Sequence, residues 1–292
     1  MSLRLEMLQV ARLAPALLGE ACVLVEKFVR SQQGDDGGFF DRDGKSDLYY
    51  TSFAIDALTA LQVEVPEERI RGYLESFGAG DGLDFVHLCC LARCWSAIEK
   101  SRDGIGAILA KLDAYRAADG GYNQSPEATY GSAYGSFLAY GAYSDHGRLP
   151  PEELRMLESL NSLADDDGSW TNDRDLPITN IPATGAAVTL LRNLRGPIPE
   201  ATGDWILSAI HPSGGFLPFP EAPLPDLLST AVALHALDGL QVSFEPYKEA
   251  CLDFVDTLWT ADGGFHGTWH DDVLDVEYTY YGLLALGHLS FE

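Results

Sequence analysis

A short glycine–aromatic motif recurs along the chain and constrains the fold more than any other feature. It occurs as Gly-Gly-Phe, Gly-Gly-Tyr or Gly-Ser-Trp, with a degenerate copy near Gly82. The second residue of each copy falls at positions 38, 82, 121, 169, 215 and 264, so the intervals are 44, 39, 48, 46 and 49 residues. A fixed period in this range indicates stacked supersecondary units. The spacing predicts one domain, residues 1–292, built from six repeats of about 45 residues.

Each copy of the motif is followed by an apolar, alanine-rich segment whose first residue is a good helix cap. These first residues are Asp47, Asp84, Thr129, Asn180, Asp226 and Asp275. Amphipathic helices lie between the apolar segments. Four of them are marked by proline at their starts, and two more are predicted over residues 17–32 and 105–117; the prolines are Pro66, Pro151, Pro199 and Pro246.

Six helices that are apolar nearly all round therefore alternate with six that are half polar. The first kind is typical of buried helices and the second of exposed ones. Closing the array into a ring leaves no end repeat uncapped. The sequence predicts an all-α protein, an (α/α)6 toroid with an inner ring of six helices inside an outer ring of six.

The charge balance narrows the function classes. Lys and Arg total 19 against 44 Asp and Glu, a formal charge of −25. This excludes nucleic-acid binding as the main role, because phosphate contacts need clustered basic residues. The apolar N-terminal stretch is interrupted by Glu6, Arg12 and Glu20, so no transmembrane segment is predicted. Five cysteines without a CxxC pair indicate reduced thiols and a cytoplasmic location.

The repeats resemble those of a known superfamily. The phrases QQGDDGGF, DDDGSW and TADGGFHG are similar to the QxxDGGF and QxxDGSW repeats of protein prenyltransferase β subunits and squalene–hopene-type terpene cyclases. The resemblance covers about residues 32–289. It implies a prenyltransferase-like or cyclase-like toroid that handles an isoprenoid or another apolar substrate in a central cavity, although a fold does not fix a function.

The prenyltransferase zinc motifs are only partly matched. Those enzymes hold zinc through D-x-C and a later D-x-x-H-T; the matching positions here are Asp226, Leu228, Asp275 and Tyr278. Leucine cannot bind zinc and a neutral phenol is a poor ligand. The stretch 216–225, where the family has diphosphate-binding Arg and Lys, contains no basic residue. We expect no cofactor and no zinc site, and leave Mg²⁺ open.

The cyclase motif D-x-D-D-T is approached by residues 275–279. Glu277 stands at the proton-donating position and Tyr278 replaces the last Asp. The resemblance therefore implies four catalytic candidates, Glu277, Asp275, Asp226 and Tyr278. Aromatic faces stabilise carbocations. The candidates for substrate binding are mainly tyrosines near the starts of inner helices: Asp47, Tyr49, Tyr50, Tyr130, Tyr134, Phe216, Tyr280 and Tyr281.

Each candidate also has a purely structural interpretation. The acids that begin inner helices are good caps, and Glu277 stands where a helix dipole favours an acid. His87, Cys90 and Cys94 share one helix face, which suits a soft metal but also a buried core face. His266 and His270 lie in an acidic loop that could hold a cation or be simply solvated.

Three function classes stay open at this point, as does whether the chain is an enzyme. The first is an isoprenoid enzyme of the transferase or cyclase type. The second is a non-catalytic toroid that binds a protein partner, as the prenyltransferase β subunit binds its α subunit. The third is an (α/α)-barrel carbohydrate enzyme, which would need two carboxylates across a cleft. The sequence also leaves open whether the N-terminal segment fills one rim of the cavity.

Overall fold

The computed structural model describes residues 2–99 and 102–290. In chain order the α-helices are α1 (Leu3–Ala11), α2 (Pro15–Leu18), α3 (Cys22–Ser31), α4 (Leu48–Ala60), α5 (Glu67–Glu75), α6 (Phe85–Ile98), α7 (Ile105–Leu112), α8 (Ala133–Asp145), α9 (Glu153–Asn161), α10 (Ile181–Leu194), α11 (Thr202–Ser208), α12 (Leu227–Leu240), α13 (Lys248–Leu258) and α14 (Val276–Leu289). Short 3₁₀ helices cover Gly19–Ala21, Asp113–Tyr115 and Glu245–Tyr247. A two-residue hairpin pairs β1 (Phe39–Phe40) with β2 (Ser46–Asp47), Phe39 lying opposite Asp47.

The even-numbered helices from α4 to α14 form a closed inner ring. Each packs against the next, and α14 packs against α4. Outside them lie α3, α5, α7, α9, α11 and α13, and α3 bridges the seam by contacting both α4 and α14. The predicted all-α toroid with two concentric rings of six helices is confirmed. Of the two long outer helices predicted, the one over 17–32 is interrupted by a 3₁₀ turn, and the one over 105–117 is shorter and ends in a 3₁₀ turn at Tyr115.

Each inner helix begins at a residue whose side chain accepts a hydrogen bond from a backbone N–H of the first turn. Asp47, Asp84, Asn180, Asp226 and Asp275 each accept from a residue in the first turn, as predicted. Each such cap stabilises its helix by about 1 kcal/mol.

The prediction for α8 was wrong. Ser132, not Thr129, caps that helix, by accepting from the N–H of Gly135. The register of this repeat is therefore shifted by three residues.

A hydrogen bond explains that register and the motif itself. In each clear repeat the buried aromatic residue donates its N–H to a hydroxyl in the first turns of the inner helix. The pairs are Phe39–Thr51 (2.9 Å), Tyr122–Ser136 (3.1 Å), Trp170–Thr184 (3.0 Å), Phe216–Thr230 (2.9 Å) and Phe265–Thr279 (3.4 Å). Only Ser132 as the cap brings Ser136 to this position. The five aromatic side chains are at most 1% exposed and fill the space between the two rings.

The glycines of the motif allow the loop to approach an outer helix closely. Gly214 and Gly263 have φ angles of 83° and 95°, which favour glycine. A Cβ at Gly214 would collide with the carbonyl of Ala250, and one at Gly263 with the carbonyl of Leu24 in α3. The second contact joins the last repeat to the first outer helix and closes the outer ring.

Helix α1 lies across the C-terminal end of the inner ring. It contacts α4, α8, α10 and α14. Two ion pairs fasten it: a buried one from Arg4 to Asp56 at 2.6 Å, and a partly exposed one from Arg192 to Glu6 at 2.6 Å. The N-terminal segment therefore closes one end of the toroid.

The stretch Leu3–Ser31 has the length and apolar composition of a membrane-spanning helix, which the sequence analysis did not predict. In the structure it is divided into α1, α2, a 3₁₀ turn and α3. The first of these pieces packs on the inner ring, where Leu3 and Leu8 are each 2% exposed.

Candidate active site

The main cavity lies inside the ring on the side where the inner helices begin, and its volume is about 320 Å³. One position of the inner helices recurs in its wall, the second residue after the cap. Five of the six inner helices place this residue in the wall: Tyr49, Tyr134, Pro182, Leu228 and Glu277. The next turns add Phe137, Val232, His235 and Tyr281, and α1 adds Met7. The volume lies near the lower end of the range for small-molecule sites, roughly 300–1,000 Å³.

Glu277 is the only acidic side chain among the described residues that line this cavity. The hydroxyl of Tyr49 donates a hydrogen bond to its Oε1 at 2.6 Å. Burial is the largest influence and raises the pKa of Glu277 to about 7; the nearby Asp275 carboxylate adds to it, while Tyr49 and Arg42 oppose it. A large part of the Glu277 population is therefore protonated near neutral pH.

Aromatic rings surround this carboxyl. Tyr49 packs edge-on against Phe53 at 4.9 Å between ring centroids, and Phe53 lies 5.4 Å from Tyr281. Tyr134 and Phe137 of α8 line the cavity together with Tyr49 and Tyr281. Such faces attract a cation electrostatically, and more strongly where water is excluded.

A second, smaller chamber of about 60 Å³ continues from the main cavity towards α1. The two share Met7, Tyr49, Tyr134, Phe137 and Tyr281 as walls. The deep chamber is more polar, because Arg4, Arg93, Asp145 and Tyr280 also line it.

Arg93 donates from Nη2 to Asp56 at 2.8 Å, and Arg4 binds the other oxygen of the same carboxylate. Asp56 is 1% exposed, so this single buried carboxylate is paired with two guanidinium groups.

The remaining catalytic candidates, Asp275, Tyr278 and Asp226, are not among the residues that line the main cavity. Arg42 donates to Asp275 at 2.7 Å and to Asp271 at 2.7 Å, and its guanidinium lies 5.3 Å from the ring centre of Tyr278. Asp226 caps α12 by accepting from the N–H of Ser229 at 2.6 Å. Asp275, Tyr278 and Asp226 are therefore engaged in structural contacts, whereas Glu277 faces the cavity.

The substrate-binding candidates separate in the same way. Tyr49, Tyr134 and Tyr281 line the main cavity and Tyr280 the deep chamber. Asp47 and Tyr50 border a groove on the outer rim. The other two lie elsewhere: Tyr130 is 42% exposed beneath the guanidinium of Arg174, and Phe216 is fully buried between the rings.

Asp47 also contacts His87, which shares with Cys90 and Cys94 the helix face that could suit a soft metal. His87 bridges Asp47 at 2.9 Å and Asp84 at 2.8 Å, and these hydrogen bonds, the one to Asp47 foremost, raise its pKa to about 9. Cys90 and Cys94 are buried in the core, at most 4% exposed. In residues 2–99 and 102–290 no group of three or more His, Cys, Asp or Glu side chains is placed to hold a metal ion.

Sequence reasoning missed Phe137, Asn172 and the charged residues of the deep chamber. A signal for the latter was present. Asp56 and Arg93 are both the ninth residue after their caps, and each is a charge inside an otherwise apolar inner helix. Charges in such a position are rarely left unpaired.

The comparisons with known proteins agree with this architecture. The family model of the prenyltransferase alpha-alpha toroid domain matches residues 22–77 and 184–290, more than half of the chain. This chain belongs to the prenyltransferase alpha-alpha toroid family. No curated protein matches it in sequence.

Several solved structures are similar to this chain over nearly its whole length. The apo structure of the type II terpene cyclase MstE from Scytonema has a TM-score of 0.65 at 13% identity, covering 94% of this chain and 97% of that one. Protein geranylgeranyltransferase-I from Candida albicans, complexed with GGPP, gives 0.65 at 11% identity, covering 92% and 90%. A protein from Actinoplanes gives 0.65 at 15%, covering 93% and 99%. At these identities the likeness shows the fold alone.

Proposed function

We propose that this chain binds an uncharged isoprenoid in its central cavity and cyclises it by proton transfer from Glu277. The observation that carries the proposal is the position of Glu277. Among the described residues it is the one acid in the wall of an aromatic cavity, and its pKa of about 7 keeps a proton available at neutral pH. Glycoside hydrolysis uses a pair of facing carboxylates, which the described part of the main cavity lacks.

The proposed chemistry is an isomerisation and needs no second reactant. The Glu277 proton adds to one carbon of an alkene, whose π electrons form the new C–H bond and leave a cation on the neighbouring carbon. A second double bond attacks that cation and closes a ring. Loss of a proton from carbon to a water molecule ends the sequence, and the Glu277 carboxylate is reprotonated from solvent. The hydrogen bond from Tyr49 stabilises the carboxylate left behind, and the rings of Tyr134 and Tyr281 face the cationic stage.

An uncharged substrate suits the surroundings of the cavity. Its described wall contains no Lys or Arg. At the mouth Arg42 is already paired with Asp271 and Asp275, so it is not available as a diphosphate clamp. The structurally similar MstE has been solved with geranylgeranyl dihydroxybenzoate as its substrate, which supports a substrate without a diphosphate.

The residues at the zinc positions of the prenyltransferases do not fit zinc. The Asp226 carboxylate is hydrogen-bonded to Ser229, Leu228 offers only carbon, and Tyr278 lies against Arg42. We therefore propose that the zinc site of those enzymes is not retained. The proposed proton transfer requires no metal.

The test is incubation of the protein with uncharged polyenes, farnesol and geranylgeraniol, in heavy water. Cyclisation would give isomers of the polyene in which one deuterium on carbon replaces one hydrogen. Glu277→Gln is expected to retain binding and lose this product, while Glu75→Gln, an exposed glutamate of α5, serves as the matched control. Binding with no deuterated product from any polyene would leave a non-catalytic toroid, for which a protein partner becomes the better hypothesis.

A further inference from the structure

The deep chamber contains buried polar atoms that the fold leaves without partners. Asp145 Oδ1, Tyr280 Oη and Arg93 Nε have no hydrogen-bond partner among the described residues. Asp145 is 6% exposed and Tyr280 is fully buried. Buried polar atoms are nearly always hydrogen-bonded, and leaving one unpaired is unfavourable. Three such groups around one cavity indicate that something polar binds between them.

The size of the chamber limits what this can be. Its volume is about 60 Å³. A water molecule needs roughly 10–15 Å³ of such a volume, so the chamber has room for a few groups of that size. A hydroxyl with its carbon fits this space.

The chemistry of the three groups also selects a hydroxyl. Arg93 Nε can only donate, Asp145 Oδ1 can accept, and the Tyr280 hydroxyl can do both. An alcohol accepts one hydrogen bond and donates another, so it suits the Asp145 carboxyl in either protonation state. The guanidinium groups of Arg4 and Arg93 are already paired with Asp56, so an anionic group would gain little from them and would lie beside the Asp145 carboxyl.

The chamber opens towards Glu277. Both cavities share an aromatic wall, including Tyr49 and Tyr281, so a chain that leaves the deep chamber enters the main one. Glu277 is the second residue of α14 and Arg93 the ninth of α6, and the inner helices begin at the same end of the ring. Seven residues of helix correspond to about 10 Å along the axis.

We propose that the deep chamber binds the hydroxyl end of an isoprenoid alcohol, between Arg93, Asp145 and Tyr280, so that the chain extends towards Glu277. This assignment rests on the proposed function, because it takes the ligand of the main cavity to be an isoprenoid. It adds the substrate class, a prenyl alcohol, and the orientation: Glu277 meets a double bond remote from the hydroxyl.

The experiment measures calorimetric affinities for four probes with the same chain: farnesol, its methyl ether, β-farnesene and farnesyl diphosphate. Each is titrated into the wild type, Tyr280→Phe and Tyr140→Phe. Tyr140 is a buried tyrosine of α8 outside both cavities, so its variant is the matched control. Tyr280→Phe removes only a hydroxyl that has no partner among the described residues, and the methyl ether tests the same contact without altering the protein.

We expect farnesol to bind about tenfold more tightly than β-farnesene or the ether, a difference of about one hydrogen bond. Tyr280→Phe should lower the affinity for farnesol about five- to tenfold and leave the affinity for β-farnesene unchanged. Tyr140→Phe should change neither affinity. Equal binding of farnesol and β-farnesene in both proteins would mean that the chamber holds only water; it would overturn this inference and leave the proposed function standing. Tighter binding of the diphosphate than of farnesol, unaffected by Tyr280→Phe, would also overturn it. No binding of any probe would remove the proposed function together with the inference.

Discussion

Replacing Glu277 by glutamine should make the protein more stable at alkaline pH and change its stability little at acidic pH. The folded protein holds the Glu277 proton up to a pKa of about 7, whereas the ordinary value is 4.5. Between these values the folded state binds more protons at this site than the unfolded chain does. The free energy of unfolding therefore falls as the pH rises from about 4.5 to about 7.

The size of the effect follows from the two pKa values. One pKa unit is worth about 1.4 kcal/mol, so an ionised Glu277 destabilises the fold by at most about 3 kcal/mol above pH 7. Glutamine has nearly the same shape, carries no charge and can still accept the hydrogen bond from Tyr49. For a chain of 292 residues, about 3 kcal/mol corresponds to a rise in Tm of roughly 5 °C.

The assay is thermal or urea unfolding of the wild type and of Glu277→Gln at half-unit steps from pH 4.5 to 8.5. The exposed Glu75→Gln provides the baseline for loss of one acid. We expect the stability difference between Glu277→Gln and wild type to grow through this range and to level off above about pH 7.5. A difference that is independent of pH would refute the raised pKa, and with it the argument that Glu277 carries a proton at neutral pH.

Three further changes test the scaffold by equilibrium unfolding. Asp226→Asn should stay within about 0.5 kcal/mol of wild type while Asp226→Ala loses about 1 kcal/mol, because asparagine caps as well as aspartate does; equal losses would argue against a capping role. Arg4→Met should cost about 3 kcal/mol, since it removes one of two partners from the buried Asp56; no loss would mean that α1 is not fastened by this pair. Gly287→Ala should cost about 1–3 kcal/mol because its Cβ collides with a carbonyl of α1, whereas Gly72→Ala on exposed α5 has open space and should stabilise by about 0.5–1 kcal/mol; similar effects at the two sites would refute the packing of α1 on α14.

The sequence was a good guide wherever the deciding contact is local. An inner-helix cap contacts a backbone N–H two or three residues away, and the motif aromatics bond a hydroxyl 12 or 14 residues later. Both spacings can be read from the chain. The error at Thr129 arose where that pattern is weakest, because serine takes the place of the hydroxyl-bearing threonine at position 136.

The candidate site was only partly predictable. A tyrosine near the start of an inner helix can point into the cavity or away from it, and its residue type does not decide which. Tyr49 and Tyr134 are the second residues after their caps and face the cavity. Tyr50 and Tyr278 are the third, about 100° further round the helix, and lie at the rim. Counting from the caps would have separated the two groups, but for α8 that count depends on Ser132, which the sequence pattern missed.

The amino-acid sequence was enough to predict the repeat, five of the six inner-helix caps, the two kinds of helix and hence the ring, because each depends on contacts within one repeat or between neighbours. What occupies the middle of that ring depends on contacts between residues far apart in the chain. Tyr49 and Glu277 are 228 residues apart in sequence, and Arg4 lies 52 residues from Asp56. These pairs meet because α14 closes on α4 and α1 folds back across the ring. The low dielectric inside the closed ring then raises the pKa of Glu277, an effect that no local sequence pattern contains.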